Sequence, residues 1–399
     1  MTRAFNMKRA FHVLITIYLA VIVINLDLVI GGNSTPIEKG LLLLCGIVFL
    51  LGRKVNLAVL ALIGVMAAAT MVSAMGTTFY GFSADRYARG LFSLLTPWFL
   101  LAGDPTEEDR DLLIKLLAWM PLADVAMGSI YAVLHIHELR HTDFLGVSRL
   151  QGSTIPAGLG SICYVGAFAA SLGWAIKRSK LYMVLLGVNL VILLLTAARA
   201  PFFLGGLAIA VVYLTRYRHT MTSFVATIFG GPLLALTAFI VLGGALLARF
   251  SSNSLSGREL IWQSLHDVLR SYPDFGIGLG HQILVVPERV TKLTTTIAAH
   301  DEYLRIAVEC GYIGAGVIFG CLFLICTINW LSPRIKAHPV FLAAAATFFI
   351  YCNSDNAISS SITVFIIIAA SFAFPTKSKM PSTSKSAKFR RIEATATQI

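Results

Sequence analysis

Residues 300–328 read HDEYLRIAVECGYIGAGVIFGCLFLICTI, and their pattern decides the class of fold. The first ten positions carry five titratable side chains, His300, Asp301, Glu302, Arg305 and Glu309. The apolar run that follows is long enough to enter a bilayer as a helix. On that helix Asp301 and Arg305 are spaced i,i+4, which predicts an ordinary ion pair on a solvated face. The stretch therefore predicts a membrane helix with a charged entrance.

The rest of the chain repeats this apolar character. Of the 399 residues, 57% are hydrophobic and 13% are charged, whereas soluble domains average about 45–50% apolar and about 25% charged residues. Apolar runs of roughly 20 residues recur along almost the whole length and leave no separate soluble domain. We therefore predict an all-α polytopic membrane protein. Residues 1–376 form its transmembrane bundle, and residues 377–399 form a disordered, basic cytoplasmic tail.

The apolar runs predict about twelve transmembrane helices. Their approximate cores are residues 11–30, 38–52, 55–75, 88–103, 112–134, 155–176, 180–197, 201–215, 222–248, 304–328, 338–352 and 357–374. Basic clusters precede the first run and follow the last, so the positive-inside rule places both termini in the cytoplasm. One loop disagrees, because residues 103–111 (GDPTEEDRD) are acidic although the topology puts them on the cytoplasmic side. The long segment 249–303 then becomes a late periplasmic loop.

The net charge of +12 follows from the same topology. Lysine and arginine stand in short clusters between apolar runs instead of on one amphipathic face, so we predict no nucleic-acid partner. The six cysteines lie in or beside apolar runs without C-x-x-C spacing, which argues against disulfide and zinc-thiolate frameworks. No metal–thiolate site and no cofactor is expected.

Several charged residues fall on the predicted outer face, where the positive-inside rule does not account for basic side chains. They are Arg86 and Arg89 in SADRYARG, Arg149, Arg199 in AARAP, and Asp355 in NSDNA. Cationic residues in such places suit an anionic substrate, although Arg199 also fits a simple interfacial anchor. We take Arg86, Arg89, Arg149 and Asp355 as secondary candidates for lining a substrate cleft.

The loop 249–303 opens with a predicted amphipathic helix. Ser256 and Glu259 have capping-box spacing, and Pro273 and the G-x-G-x-G run at 276–280 end the helix. Arg258 stands in the first turn, where a cation beside free backbone N–H groups makes a phosphate site or is merely tolerated. His300 closes the loop. A histidine there is either structural or a general base, since an unperturbed imidazole titrates near neutral pH.

The segment HELRH at 137–141 matches the zinc-peptidase pattern H-E-x-x-H. On a helix, His137 and His141 would share a face, and Glu138 could act as a base. Arg140 at a middle position and the lack of a clear third ligand count against this function. It remains a rival interpretation.

Together these residues resemble the O-antigen ligase and polymerase superfamily of bacterial envelope glycosyltransferases. The resemblance rests on SGRELIW at 256–262, the G-x-G-x-G turn, the H-x10-G pattern from His300 to Gly311, and an arginine between two spans upstream. It covers mainly residues 190–330. It implies a twelve-span bundle with a late periplasmic loop that carries helices over the active site.

The resemblance also implies a reaction. The donor would be a glycan on undecaprenyl diphosphate at the periplasmic face of the bacterial inner membrane. The acceptor would be a sugar hydroxyl, on lipid A-core for a ligase or on a growing glycan for a polymerase. Arg199 and Arg258 would hold the diphosphate and His300 would activate the hydroxyl, in an inverting reaction without a metal. The residue after the histidine is Asp301, where many members carry a small polar residue, and this carboxylate would change the strength of the base.

A secondary transporter is the rival from another class, because twelve spans and intramembrane charges also suit one. The short KRSK loop at 177–180, the absence of a visible repeat and the late long loop speak against it.

Overall fold

The structure is a computed structural model of the chain and describes residues 2–31, 35–142, 147–217, 258–294 and 297–376. The predicted span at 222–248 and the predicted tail at 377–399 lie outside these residues. In the first half, the described helices are α1 (Thr2–Ile24), α2 (Leu26–Ile30), α3 (Thr35–Leu51), α4 (Leu57–Gly76), α5 (Ala84–Leu95), a 3-10 helix (Thr96–Leu101) and α6 (Glu107–Val133). In the second half they are α7 (Pro156–Lys177), α8 (Lys180–Leu195), α9 (Arg199–Tyr217), α10 (Arg258–Ser271), a 3-10 helix (Gln282–Leu284), α11 (Glu288–Thr294), α12 (Glu302–Leu331), α13 (Pro339–Cys352) and α14 (Ser361–Phe372). Between α6 and α7, the strands β1 (Arg140–Thr142) and β2 (Ser148–Leu150) pair antiparallel, with His141 opposite Arg149.

The helices confirm the membrane-protein class but not the predicted number of spans. Six described helices are long and apolar enough to cross a bilayer: α1 over Met7–Ile24, α4, α6, α7, α9 over Arg199–Arg216, and α12. Helices α8, α13 and α14 are apolar but shorter. The figure of about twelve spans remains a prediction.

Two helices form the centre of the bundle. Every residue of α14 is buried, and α7 is buried continuously from Leu159 to Gly173. Helices that are apolar all round belong in the interior of a bundle, because no face of theirs requires water. Inside the bundle, Tyr164 of α7 donates to the Thr347 hydroxyl of α13 at 2.8 Å.

The acidic loop 103–111, which disagreed with the charge rule, gathers the basic side chains at one end of the bundle. Asp109 is buried and accepts from His12 at 2.8 Å and from Arg53 at 2.7 Å. The Lys177 ammonium contacts Asp111 at 2.9 Å, and the Arg334 guanidinium contacts Asp104 at 3.5 Å. The acidic residues are therefore counter-ions of the predicted cytoplasmic clusters. We call this the acidic-loop end.

Helix α12 connects this end to the opposite one, which we call the site end. At about 1.5 Å per residue, the twenty residues 312–331 of this helix span about 30 Å. Its last turn leads to Arg334 and thus to the acidic loop, whereas its first turn follows His300. Charged residues of the predicted outer face accordingly meet at the far end of α12.

A glycine-dependent turn builds the platform of the site end. Helix α12 breaks at Gly311, whose φ of 72° and ψ of 173° are open to glycine almost alone. The break frees the carbonyls of Val308 and Glu309, which accept from Ile277 N–H at 3.0 Å and Gly278 N–H at 2.8 Å. Residues 276–280 also carry positive φ at each of their three glycines. The G-x-G-x-G run and Gly311 thus lie on the two backbone segments that contact each other here.

We expect Gly311→Ala to destabilise the protein. A β-carbon at position 311 would lie 2.1 Å from the Asp274 carbonyl oxygen, and the backbone angles alone cost about 1–3 kcal/mol. Gly316→Ala, in the same helix, is the matched control, because a β-carbon there meets nothing within 4 Å. Thermal unfolding in detergent should show a lower midpoint for Gly311→Ala only. Equal midpoints for the two variants would show that the break does not depend on glycine.

Candidate active site

His300 and Asp355 form a histidine–carboxylate pair at the site end. His300 directly precedes α12, and Asp355 lies in the loop after α13. Their Nδ1 and Oδ1 atoms are 3.1 Å apart. Because an ionised carboxylate only accepts hydrogen bonds, Nδ1 carries the hydrogen and Nε2 keeps a lone pair. An imidazole in this tautomer, oriented by a carboxylate, has the form of a general base.

The surroundings keep Asp355 ionised. Tyr351 donates its hydroxyl hydrogen to Oδ2 at 2.7 Å, and the Asn356 backbone N–H donates to Oδ1 at 2.8 Å. Burial by itself raises the pKa of Asp355, but the hydrogen bond and charge of His300, together with these two donors, bring it below its ordinary value. Asp355 is therefore a carboxylate at neutral pH, which is the state that orients His300.

The backbone around His300 is held in an unusual conformation. His300 has a φ of 50°, which non-glycine residues adopt rarely and at a cost. On one side Trp262 of α10 donates its indole N–H to the Ala299 carbonyl at 2.8 Å. On the other side Asp301 caps α12, accepting from the Leu304 N–H at 3.0 Å. The side chain of Asp301 is thus engaged as a helix cap, and the carboxylate hydrogen-bonded to the His300 ring belongs to Asp355.

Arg258 approaches the same loop from α10. It belongs to that helix, and its Nη1 donates to the Ser354 carbonyl at 3.2 Å. Ser354 directly precedes Asp355. The structure therefore brings three of the candidates, Arg258, His300 and Asp355, around one short loop.

A polar cleft of about 670 Å³ lies beside this loop. Its lining residues come from α5, the glycine turn, α12 and the loop after α13, and include Arg86, Arg89, Gln282, Arg305, Glu309 and Asn356. Arg89 is paired with Asp85, with Nη2 and Oδ2 2.8 Å apart. Arg86 has no hydrogen bond or ion pair to the described residues, and the buried Oδ1 of Asn356 also lacks a partner among them. Buried polar atoms are rarely left unpaired, so the Asn356 Oδ1 atom is suited to a polar ligand, and the half-buried Arg86 guanidinium beside it is suited to an anionic one.

Arg199 and Arg149 lie on another side of the site end. Arg199 begins α9, and the neighbouring Ala198 packs against Gly160 of α7. The next residue, Ser161, shares a 2.8 Å hydrogen bond with the Tyr351 hydroxyl that holds Asp355. Arg149 in β2 donates from Nε to the Thr196 carbonyl at 2.8 Å. Neither arginine is among the residues that line the cleft.

The predicted ion pair between Asp301 and Arg305 is wrong. Arg305 is buried and contacts Glu302 at 2.6 Å and Glu309 at 2.5 Å. Glu309 also accepts from the Gln282 N–H at 3.1 Å, which ties α12 to the segment after the glycine turn. The four-residue spacing to Asp301 is the same as that to Glu309, but Asp301 lies outside the helix as its cap. The charges at the entrance of α12 therefore form a buried network and not a solvated face.

We expect Arg305→Ala to be strongly destabilising. Removal of the guanidinium leaves two buried carboxylates uncompensated, a change that costs about 3–5 kcal/mol in buried ion pairs. Lys292→Ala is the control, because the Lys292–Glu288 pair is exposed at 74% and 83% and such pairs contribute about 0–1 kcal/mol. Denaturant unfolding in mixed micelles measures both differences. Equal stability of the two variants would contradict the importance of the buried network.

His281 is a further residue of the site that the sequence did not single out. It is fully buried, and its Nε2 accepts the Ser83 N–H at 2.7 Å at the start of α5. Its Nδ1 then carries the hydrogen, which faces the carbonyls of Gly278 and Leu279 at 3.1 Å and 3.0 Å. The histidine joins the glycine turn to the helix that carries Arg86 and Arg89. The only local signal was its place directly after the glycine run.

HELRH does not form the helix that the zinc-peptidase interpretation requires. His137 and Glu138 precede β1, and Arg140 and His141 lie in that strand. Among the residues that the structure describes, no group of three or more His, Cys, Asp or Glu side chains could hold a metal ion. The helical motif is therefore absent from this segment.

The helices and this cleft define a polytopic membrane protein with a basic site at one end of its bundle. In a comparison with known families, residues 181–319 match the family described as O-antigen ligase. The match confirms the resemblance to the O-antigen ligase and polymerase superfamily, whose members are glycosyltransferase-like enzymes acting on lipid-linked glycans. It includes Arg199, Arg258 and His300, whereas Arg86, Arg89, Arg149 and Asp355 lie outside it. A comparison with curated proteins found no match.

Proposed function

We propose that the protein transfers a glycan from undecaprenyl diphosphate to a sugar hydroxyl at the periplasmic face of the bacterial inner membrane, with both termini in the cytoplasm. Within the superfamily we place an O-antigen ligase acting on lipid A-core ahead of an O-antigen or exopolysaccharide polymerase. The observation that carries the proposal is the His300–Asp355 pair, joined to Arg258 by the loop 353–356 next to a basic cleft.

In the proposed reaction His300 acts as the general base. Its Nε2 takes the proton of the acceptor hydroxyl while that oxygen attacks the anomeric carbon of the donor. Asp355 keeps the ring in the required tautomer and stabilises the imidazolium that forms, as the carboxylate of a catalytic triad does. The bond from the anomeric carbon to the diphosphate oxygen breaks as the new glycosidic bond forms, so one displacement inverts the anomeric configuration.

Arginines would stabilise the leaving group. Charge builds on the diphosphate oxygens as the bond breaks, and guanidinium groups offer paired, permanently charged donors to such oxygens. We assign this role to Arg258 and Arg199, with Arg86 and Arg89 binding the donor in the cleft. Arg149 supports the Thr196 carbonyl near Arg199 and would act at the edge of the substrate site. Because these arginines would neutralise the charge of the diphosphate, we propose a reaction that needs no metal.

Deletion of the gene and examination of the lipopolysaccharide tests the choice between ligase and polymerase. Lipid A-core without polymer, together with accumulated lipid-linked polymer, is the result expected of a ligase. Core that carries a single repeat would instead support an O-antigen polymerase, and unchanged lipopolysaccharide with lost exopolysaccharide would support an exopolysaccharide polymerase. If no envelope glycan changes, the proposed function is wrong.

A further inference from the structure

A second, narrower groove of about 240 Å³ lies between α3 and α5. On α3 it is lined by Pro36, Lys39 and Leu43, and on α5 by Asp85, Arg89 and Phe92. Both sets follow the three- and four-residue spacing that places side chains on one helix face. The groove is thus the space between two facing helix stripes.

The two helices run in the same direction, so the groove has a polar end and an apolar end. After α3, Val55 pairs with Gly103, which follows α5 and its 3-10 extension, so both helices end together near the acidic loop. At their beginnings, Lys39 donates to the Ser359 carbonyl at 3.3 Å, close to the loop that holds Asp355. Leu43 and Phe92 lie one to two turns deeper. The polar groups therefore face the site end and the apolar groups face the middle of the bundle.

The polar end is shared with the cleft of the candidate active site. Asp85 and Arg89 line both spaces. The positive groups here are Lys39, Arg86 and Arg89, and the negative groups are Glu38 and Asp85. The positive charges therefore exceed the negative charges by one. A ligand with an anionic head in the cleft can therefore continue into the groove past Arg89.

The apolar end is open toward the surface that a bilayer would cover. Leu44 and Phe92 at this end of the groove are exposed at 44% and 43%. Its volume is below the roughly 300–1,000 Å³ typical of sites for whole small ligands, so the groove suits only a stretch of a longer chain.

From this continuity we propose that the groove between α3 and α5 binds the first isoprenoid units of the lipid-linked donor, whose polar head passes Arg89 into the cleft and continues toward Arg258. This inference rests on the proposed function. It assigns Leu43 and Phe92 to contact with the lipid chain, and it places the rest of the chain outside the groove, in the bilayer.

Gly40→Leu tests the inference by filling the groove. Gly40 lines the groove, and a β-carbon there meets nothing within 4 Å, so the variant is expected to fold. Gly64→Leu in α4 is the matched control, since that glycine is also exposed and open. Transfer is measured with two donors: the undecaprenyl diphosphate glycan, and the same glycan diphosphate with a methyl group in place of the lipid. We expect Gly40→Leu to raise the KM for the lipid donor about ten-fold or more and to leave the KM for the methyl donor within about two-fold. Unchanged values with the lipid donor, or equal increases with both donors, would overturn the groove assignment.

A binding measurement separates this inference from the proposed function. A photoreactive benzoylphenylalanine at position 92 should be labelled by radioactive undecaprenyl diphosphate, and unlabelled undecaprenyl diphosphate should compete better than phosphatidylglycerol. Equal competition by phosphatidylglycerol would show an ordinary lipid contact and overturn the inference. Labelling at position 92 without any glycan transfer would support the groove and contradict the transferase. Glycan transfer that Gly40→Leu does not change, without labelling at position 92, would support the transferase and contradict the groove.

Discussion

Replacing His300 with alanine is expected to lower kcat for glycan transfer by about 10²- to 10⁴-fold, the usual contribution of a general base. The reason lies in the 3.1 Å contact with Asp355, which fixes the ring with Nε2 as a proton acceptor. Because the diphosphate is assigned to arginines, the KM for the lipid-linked donor should change much less than kcat. Initial rates over a range of donor concentrations give both quantities.

His266 provides the control for this substitution. It lies in α10, in the same segment between α9 and α12, but its side chain is exposed to solvent. His266→Ala should keep wild-type kcat. Asp355→Asn should resemble His300→Ala in kcat, because an amide can donate to Nδ1 and thereby stabilise the wrong tautomer. Wild-type kcat in His300→Ala would remove the histidine from the mechanism.

Replacing Arg258 with alanine is expected to lower kcat/KM for the lipid-linked donor by about 10²- to 10³-fold, as the loss of one preorganised donor does elsewhere. The guanidinium also holds the loop of Asp355 through the Ser354 carbonyl. Arg258→Lys should restore little of the activity, since an ammonium lacks the planar pair of donors that matches phosphate oxygens.

Arg270→Ala, at the other end of α10, is the matched control. Its side chain is 79% exposed and pairs only at the surface with Asp267. Activity should stay within about two-fold of wild type, because exposed ion pairs contribute little. If Arg258→Ala and Arg270→Ala have the same kcat/KM, Arg258 does not bind the leaving group.

The local features of the site end could be predicted from the sequence, because they depend on neighbouring residues. Hydrophobic periodicity and the glycines at 276, 278 and 280 predict α10 and the turn that ends it. The structure adds the reason: positive φ at these glycines allows the two backbones to exchange hydrogen bonds.

Long-range partners could not be predicted in this way. Asp355 lies 55 positions after His300, and no local pattern indicates which carboxylate a histidine will meet after folding. Arg305 had carboxylates at several compatible spacings, so helical geometry alone could not choose Glu302 and Glu309 over Asp301. The zinc-peptidase interpretation of HELRH was wrong for a related reason. The spacing of His137 and His141 places them on one face only if the segment is helical.

The central claim is a transfer reaction that depends on His300 and Arg258 and needs no metal. Its most direct test is turnover of the undecaprenyl-diphosphate-linked glycan by the purified protein in the presence of EDTA. We predict full wild-type turnover in EDTA, with strong losses in His300→Ala and Arg258→Ala. Full turnover by both variants, or a wild-type loss in EDTA that added metal restores, would contradict the account.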